Sequence, residues 1–269
     1  MAEVVEVVLA RRALLDVLET LHDHTEALIL VGAQAVYLHA PGGLAVPAFT
    51  TDADVALNPD ILATAPDIEA TLTTAGYRLS QNPGSWESPL GVHIDLMTSP
   101  TRPGAHRAAL LHGHGRFTAR QTLGLEVALV DHAPMVISSL DPSDPREVRL
   151  HVASPPALVV AKLAKIQERV TDGKSHRIIA KDAGDLLRLL RIAGASDIGV
   201  RLQQLSRDPA LRAAIEPRLD WLADDLRSRN SSLVGMVIDA AQGTEEDASL
   251  REAVTLLGSQ LLTRFREIP

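Results

Sequence analysis

The sequence predicts an α+β fold, with strands gathered in the front of the chain and helices filling the back. Three observations carry this. Short apolar runs bounded by Gly, Pro and Asn recur before residue 153, the pattern of strands separated by turns. After Ser154-Pro155-Pro156 the apolar residues follow helical spacing to the end of the chain. A length of 269 residues suits one large domain or two small ones, and either can bury a core. The expected organisation is a mixed sheet with flanking helices over residues 1–153, followed by an α-helical domain over 154–269.

Each element has its own signal. Residues 4–21 alternate apolar and charged positions as an amphipathic helix does. Ala27-Leu28-Ile29-Leu30-Val31 is a buried-strand run ending at Gly32, and Ala33-Gln34-Ala35-Val36-Tyr37-Leu38 continues it as a helix. Residues 40–51, with Pro41, Gly42, Gly43 and Pro47, form a long loop that leads into a strand over 50–57. A helix is expected over 60–75, ended by Gly76. Strands follow at 77–79 and 92–97 with Asn82-Pro83-Gly84 as a turn, then at 126–130, 135–137 and 148–152. Helices are expected over 157–170, 178–192, 197–206, 209–227, 231–242 and 247–265.

Composition narrows the class. Aromatic residues make up only 3% of a chain that is 46% hydrophobic, so Ala, Val and Leu must build the core. No apolar stretch reaches the length of a membrane span, and residues 1–21 carry acids and Arg11-Arg12 rather than a signal-peptide pattern. The absence of cysteine excludes disulfides and thiolate metal sites. A soluble, cytoplasmic protein is expected. Charge is divided unevenly. Residues 1–150 hold 9 Lys+Arg against 18 Asp+Glu, a net of −9, and contain no lysine. All the lysines (Lys162, Lys165, Lys174 and Lys181) fall in one short window with Arg169 and Arg177.

The candidate chemistry starts at Thr50-Thr51-Asp52-Ala53-Asp54-Val55-Ala56-Leu57. On a strand, Asp52 and Asp54 point to one face while Val55 and Leu57 point to the other. Such pairs are common on solvated strands and at helix caps. Here a buried strand, a glycine turn and a helix start precede the pair, and that combination is an anion site. Asp95, in Gly91-Val92-His93-Ile94-Asp95-Leu96-Met97, stands on the polar face of a second strand, with His93 beside it as a supporting neighbour. Adjacent carboxylates favour a hard divalent cation between them, and three on neighbouring strands suit a two-metal site for phosphoryl or nucleotidyl transfer.

Lys162, Lys165 and Arg169 share one face of a predicted helix, next to a stripe of Leu163, Ile166 and Val170. An ammonium point charge suits a triphosphate, although an ordinary solvated face explains Lys165 and Lys174 equally well. Asp182 has three candidate roles: pairing with Lys181, holding Lys162, or assisting an acceptor nucleophile. Asp185 is expected to be structural. His106 and His112-Gly113-His114-Gly115 lack the fixed spacing of a zinc site. They are expected in a loop over the site, with Arg107 and Arg116 as base or phosphate contacts.

Gly32-Ala33, Asp52-Ala53-Asp54 and Asp95, in this order, resemble the nucleotidyltransferase superfamily typified by DNA polymerase β. Leu158-Val159-Val160-Ala161-Lys162-Leu163 and Ala180-Lys181-Asp182-Ala183-Gly184-Asp185-Leu186 resemble the later motifs of its AbiEii/AbiGii toxin branch, so the likeness spans residues 27–190. It departs at Ala33, where the family carries a small polar residue; Thr50, Thr51 or backbone amides would have to substitute. The resemblance implies a nucleotidyltransferase-like fold and Asp52, Asp54 and Asp95 as ligands of two Mg²⁺ ions. It also implies NTP binding by Gly32, Ala33, Thr51, Lys162 and Lys181, with Lys162 and Asp182 assisting transfer. The implied acceptor is RNA, tRNA in particular, in a toxin–antitoxin or phage-defence setting with a cognate antitoxin. A small-molecule (antibiotic) nucleotidyltransferase and an inactive binding copy of the fold are the alternatives.

Overall fold

The computed structural model describes residues 2–40, 50–100, 108–173 and 180–267. The segment with Pro41, Gly42, Gly43 and Pro47, His106 with Arg107, and Lys174 with Arg177 lie outside the described residues. The chain divides into two compact units: Met1–Ala35 with Ala48–Ala153, and Val36–Pro47 with Ser154–Pro269. Among the described residues no helix is long and apolar enough to cross a membrane.

The first unit is α+β. It begins with helix α1 (Ala2–Thr20) and a short 3-10 helix, His22–Ala27. Strand β1 (Leu28–Val31) is buried along its length, as its uniformly apolar sequence requires of a central strand. It runs into α2 (Gly32–His39) through Gly32, whose φ of +68° suits glycine. Strand β2 (Asp52–Leu57), helix α3 (Ile68–Thr74) and strands β3 (Arg78–Leu79), β4 (Ser85–Glu87) and β5 (His93–Thr98) follow. Strands β6 (Arg120–Gln121), β7 (His132–Ser138) and β8 (Glu147–Ala153) complete the unit.

The sheet order is β3-β4-β5-β2-β1-β8-β7, with β6 paired to β5. Strands β1 and β2 are antiparallel, while β2–β5, β1–β8 and β5–β6 are parallel, so the sheet is mixed. Arg146 fastens α1 to this sheet: it bridges Asp144 beside β8 and Asp16 of α1, each at 2.7 Å.

Two expectations fail locally. The helix expected over 60–75 forms only as α3. Pro66 disfavours helical backbone in the residue before it, and Asp67 then caps α3 by accepting from the Ala70 amide at 2.6 Å. The strand expected over 126–130 is a set of turns, because Leu129 and Asp131 bond back to the carbonyls of Leu125 and Val127. In the other direction, β4 and β6 carried no sequence expectation. Strand β4 forms because the Asn82-Pro83-Gly84 turn brings Trp86 into the core, where its indole N–H donates to the Thr118 carbonyl at 3.1 Å.

The second unit is helical. Ser154 caps α4 (Pro155–Thr171) by accepting from the Ala157 amide, with prolines in the first turn, where no N–H is needed. Then come α5 (Lys181–Ile192), α6 (Ala195–Leu205), α7 (Pro209–Arg227), α8 (Ser232–Ala241) and α9 (Asp247–Arg266). Gly194, at φ +76°, turns the chain between α5 and α6. Helices α6 and α9 pack closely at Gly199, where a Cβ would collide with the Leu261 carbonyl and the Arg264 side chain. Asp225 of α7 accepts from the Ser231 hydroxyl and the amides of Ser232 and Leu233, fixing the start of α8.

Candidate active site

Register brings the three acids together. In the parallel pair β2–β5, Asp54 lies opposite Asp95 and Asp52 opposite His93. Paired residues share a face, so the three carboxylates stand on one side of the sheet. Burial follows the same alternation: Asp52, Asp54 and Asp95 are half-buried, while Ala53, Val55, Ile94 and Leu96 are buried. His93 is exposed on the same strand.

The turn into α2 completes the site. Val31 lies opposite Asp54, which places the next residue, Gly32, against the Asp54 side chain. A Cβ on Gly32 would overlap the Asp54 carboxylate. Glycine is thus required for space as well as for its positive φ. Ala33 is buried. Thr50 is also buried, and its hydroxyl donates to the Asp52 carboxylate at 2.7 Å; Thr51 is exposed.

Three residues that sequence reasoning missed hold the site. Arg120 is the first. Pairing of β6 with β5 sets Arg120 beside Met97, two residues beyond Asp95 and on the same face. Its Nη2 donates to Asp95 Oδ2 at 2.6 Å. Burial alone would lower the Arg120 pKa; the hydrogen bond and charge of Asp95, then the charges of Asp54 and Asp52, outweigh it and raise the value. Gln34 and Arg11 are the others. Buried Gln34 donates to the carbonyls of Ala10 and Asp52 at 3.1 Å, tying α2 to the start of β2. Arg11 donates to the Gln34 amide oxygen at 2.9 Å and to the Ser138 carbonyl at 2.8 Å. A lone glutamine in the apolar run Ala33-Gln34-Ala35-Val36 was the available signal, since a buried amide must find partners. Arg120 carried no local signal, because only the sheet pairing brings it to Asp95.

Among the described residues, no group of three or more His, Asp or Glu side chains is disposed to hold a metal ion. The carboxylate face nevertheless carries a cation, the Arg120 guanidinium, which neutralises part of its charge.

The later motifs form a separate cluster in the helical unit. Lys162 of α4 is buried and donates to Asp182 at 2.7 Å and to Asp185 at 2.8 Å. Arg169 also donates to Asp182, Lys165 lies 3.5 Å from it, and Arg188 donates to Asp185 at 3.1 Å. Burial disfavours the Lys162 charge, yet Asp182 and Asp185 more than compensate and push its pKa up. Burial likewise works against the Asp182 charge, but Lys162, Lys165 and Arg169 hold its pKa down. Arg188 also packs over the Tyr37 ring, 5.0 Å from its centroid. Lys181 is half-buried at the start of α5. The structure therefore brings Lys162, Asp182 and Asp185 together within one unit and Asp52, Asp54 and Asp95 together within the other.

The His112-Gly113-His114-Gly115 segment works as a clamp. His114 Nε2 donates to the Ala63 carbonyl at 2.9 Å, and its Nδ1 accepts from the Ile68 amide at 3.2 Å. Gly113 and Gly115 pack so closely on Thr64 and Glu69 that side chains there would collide. Arg116 lies over the Phe117 ring at 5.6 Å.

No family model, curated protein or solved structure matches this chain. The chemistry of the site rests on its own residues.

Proposed function

We propose that this chain is a Mg²⁺-dependent nucleotidyltransferase that moves a nucleotide from an NTP to an acceptor hydroxyl, with RNA as the acceptor. The observation that carries the reading is the register of Asp54 against Asp95, with Asp52 on the same face and Gly32 against the Asp54 carboxylate. Hard oxygen donors on one face are the ligand type a divalent cation takes, and the Arg120 guanidinium paired to Asp95 would have to give way for the acids to close on one. Asp52 and Asp54 would hold Mg²⁺, and Asp95 would complete the donor set. When bound, the metal supplies Lewis-acid activation of the triphosphate.

The remaining steps belong to the chain. Backbone amides at the start of α2 take the phosphate oxygens, and the absent Cβ of Gly32 leaves room beside Asp54. Thr50 fixes the Asp52 carboxylate through its hydroxyl. Asp95 takes the proton of the attacking hydroxyl. The deprotonated acceptor oxygen bonds to the α-phosphorus as the bond to the bridging oxygen breaks, and pyrophosphate leaves with that electron pair. Arg120 keeps the Asp95 carboxylate oriented. Lys162, Asp182 and Asp185 act by fixing α4 against α5.

The test is incubation with each labelled NTP, Mg²⁺ and total RNA. RNA labelling by the wild type, abolished in Asp54→Asn, is the expected result. No labelling with any NTP, or labelling that survives Asp54→Asn, overturns the reading. One observation favours a second reading, a binding copy without activity: Arg120 already occupies Asp95. NTP binding in calorimetry without any transfer would select it.

A further inference from the structure

His132 and His151 lie outside the carboxylate site, and the nucleotidyl-transfer reading gives them no role. Strands β7 and β8 are antiparallel, with His132 opposite Ala153 and His151 opposite Pro134. The two histidines are therefore diagonal neighbours on one face, close enough for long side chains to meet. Their rings meet edge to face, with centroids 4.5 Å apart and planes inclined at 73°. Their Nδ1 atoms are 3.0 Å apart. Both residues are half-buried.

That separation is a coordination distance. Two imidazole nitrogens, each about 2.0–2.1 Å from one ion at tetrahedral or octahedral angles, lie about 2.9–3.4 Å apart. The groups around the pair point the same way. The Glu26 carboxylate stands 3.9 Å from Nε2 of His151. That carboxylate is exposed and beyond hydrogen-bonding distance, but its charge favours the proton on Nε2 over Nδ1, and a small side-chain rotation would bring it into contact. The Leu129 backbone carbonyl lies beside the His132 ring as a second acceptor.

We propose that His132 and His151 form a binding site for a divalent transition-metal ion of the zinc–copper class, held through both Nδ1 atoms. Two neutral imidazoles are borderline nitrogen donors, which select zinc, nickel or copper over magnesium or calcium. Without metal, one proton is shared between the two Nδ1 atoms. On binding, that proton moves to the outer nitrogen of His132, and both Nδ1 lone pairs go to the ion. Solvent or an external ligand takes the remaining positions. Glu26 is a positioning residue that orients His151.

The experiment uses the full, tag-free chain. Calorimetric titration with ZnCl₂ should show one site that excess MgCl₂ does not displace. Stoichiometric Cu²⁺ should give an electron paramagnetic resonance spectrum with hyperfine structure from two imidazole nitrogens. His132→Gln and His151→Gln should each weaken zinc binding at least tenfold and remove the two-nitrogen signal. Glu26→Gln should weaken it by a smaller factor. Circular dichroism and the metal-free melting temperature confirm that each variant folds, and a variant that does not fold is replaced by His→Asn at the same position. Absence of zinc binding at millimolar concentration, or binding undiminished in both histidine variants, overturns the proposal.

Discussion

Arg120 shows how one side chain can decide the state of a site. With its guanidinium 2.6 Å from Asp95, the three acids share a cation that belongs to the chain. Arg120→Ala should remove the guanidinium from Asp95 and leave more of the repulsion among the three carboxylates uncompensated, since like charges so placed repel. The variant should melt lower than wild type in EDTA, and millimolar Mg²⁺ should restore more stability to it than to wild type, since a ligand stabilises the state that binds it. Equal melting temperatures with and without Mg²⁺ in both proteins would remove the metal from the proposed mechanism. Gly32 carries a second prediction at this scale. Ala at φ +68° is strained and would push on Asp54, so Gly32→Ala should cost about 1–3 kcal/mol in denaturant unfolding. Unchanged stability would mean that the turn can relax away from β2.

At the scale of elements, α4 and α5 are joined by charge inside the helical unit. Lys162 sits between Asp182 and Asp185 with 6% of its side chain exposed. Removing one partner from a buried pair leaves charge without compensation, which typically costs about 3–5 kcal/mol. Lys162→Met should approach the lower end of that range, because Arg169, Lys165 and Arg188 remain on the two acids. Urea unfolding of the wild type and the variant checks it, and a loss below about 1 kcal/mol would mean the network closes without Lys162. The Asp182 and Asp185 partnership was only partly legible in sequence. Helical spacing placed Lys162, Lys165 and Arg169 on one face, and holding Lys162 was one of the roles open to Asp182. Spacing cannot say whether a basic stripe meets solvent, a phosphate or two buried acids, because that depends on which helix packs against it. Strands divide in the same way. Asp52, Asp54 and Asp95 were legible because period-two alternation is local, whereas Arg120 was not, because a two-residue strand leaves no pattern. The failed strand at 126–130 has the same cause in reverse: an apolar run reads alike whether it pairs with a neighbour or folds back on itself.

At the scale of the molecule, the α+β unit is pinned by histidines that must stay neutral. His114 joins two loops only while Nε2 donates to Ala63 and Nδ1 accepts from Ile68. A proton on Nδ1 would break the second bond. Burial is the main cause that holds the His114 pKa below its usual 6.5, with the neighbouring charges of His24 and His112 adding to it. His132 is lowered in the same direction, by burial first and by His151 second. The linkage sign follows. A group whose folded pKa is depressed binds fewer protons folded than unfolded, so its contribution is complete above the unfolded value of about 6.5 and is lost as pH falls through the folded one. Unfolding midpoints in urea should therefore decline from pH 7.5 to pH 5.5, before most carboxylates begin to titrate. His114→Gln should flatten part of that decline, since an amide offers no site for the proton. A wild-type midpoint that is level across this range, or a variant with the full slope, would show that the 63–68 and 111–115 loops do not depend on His114 staying neutral.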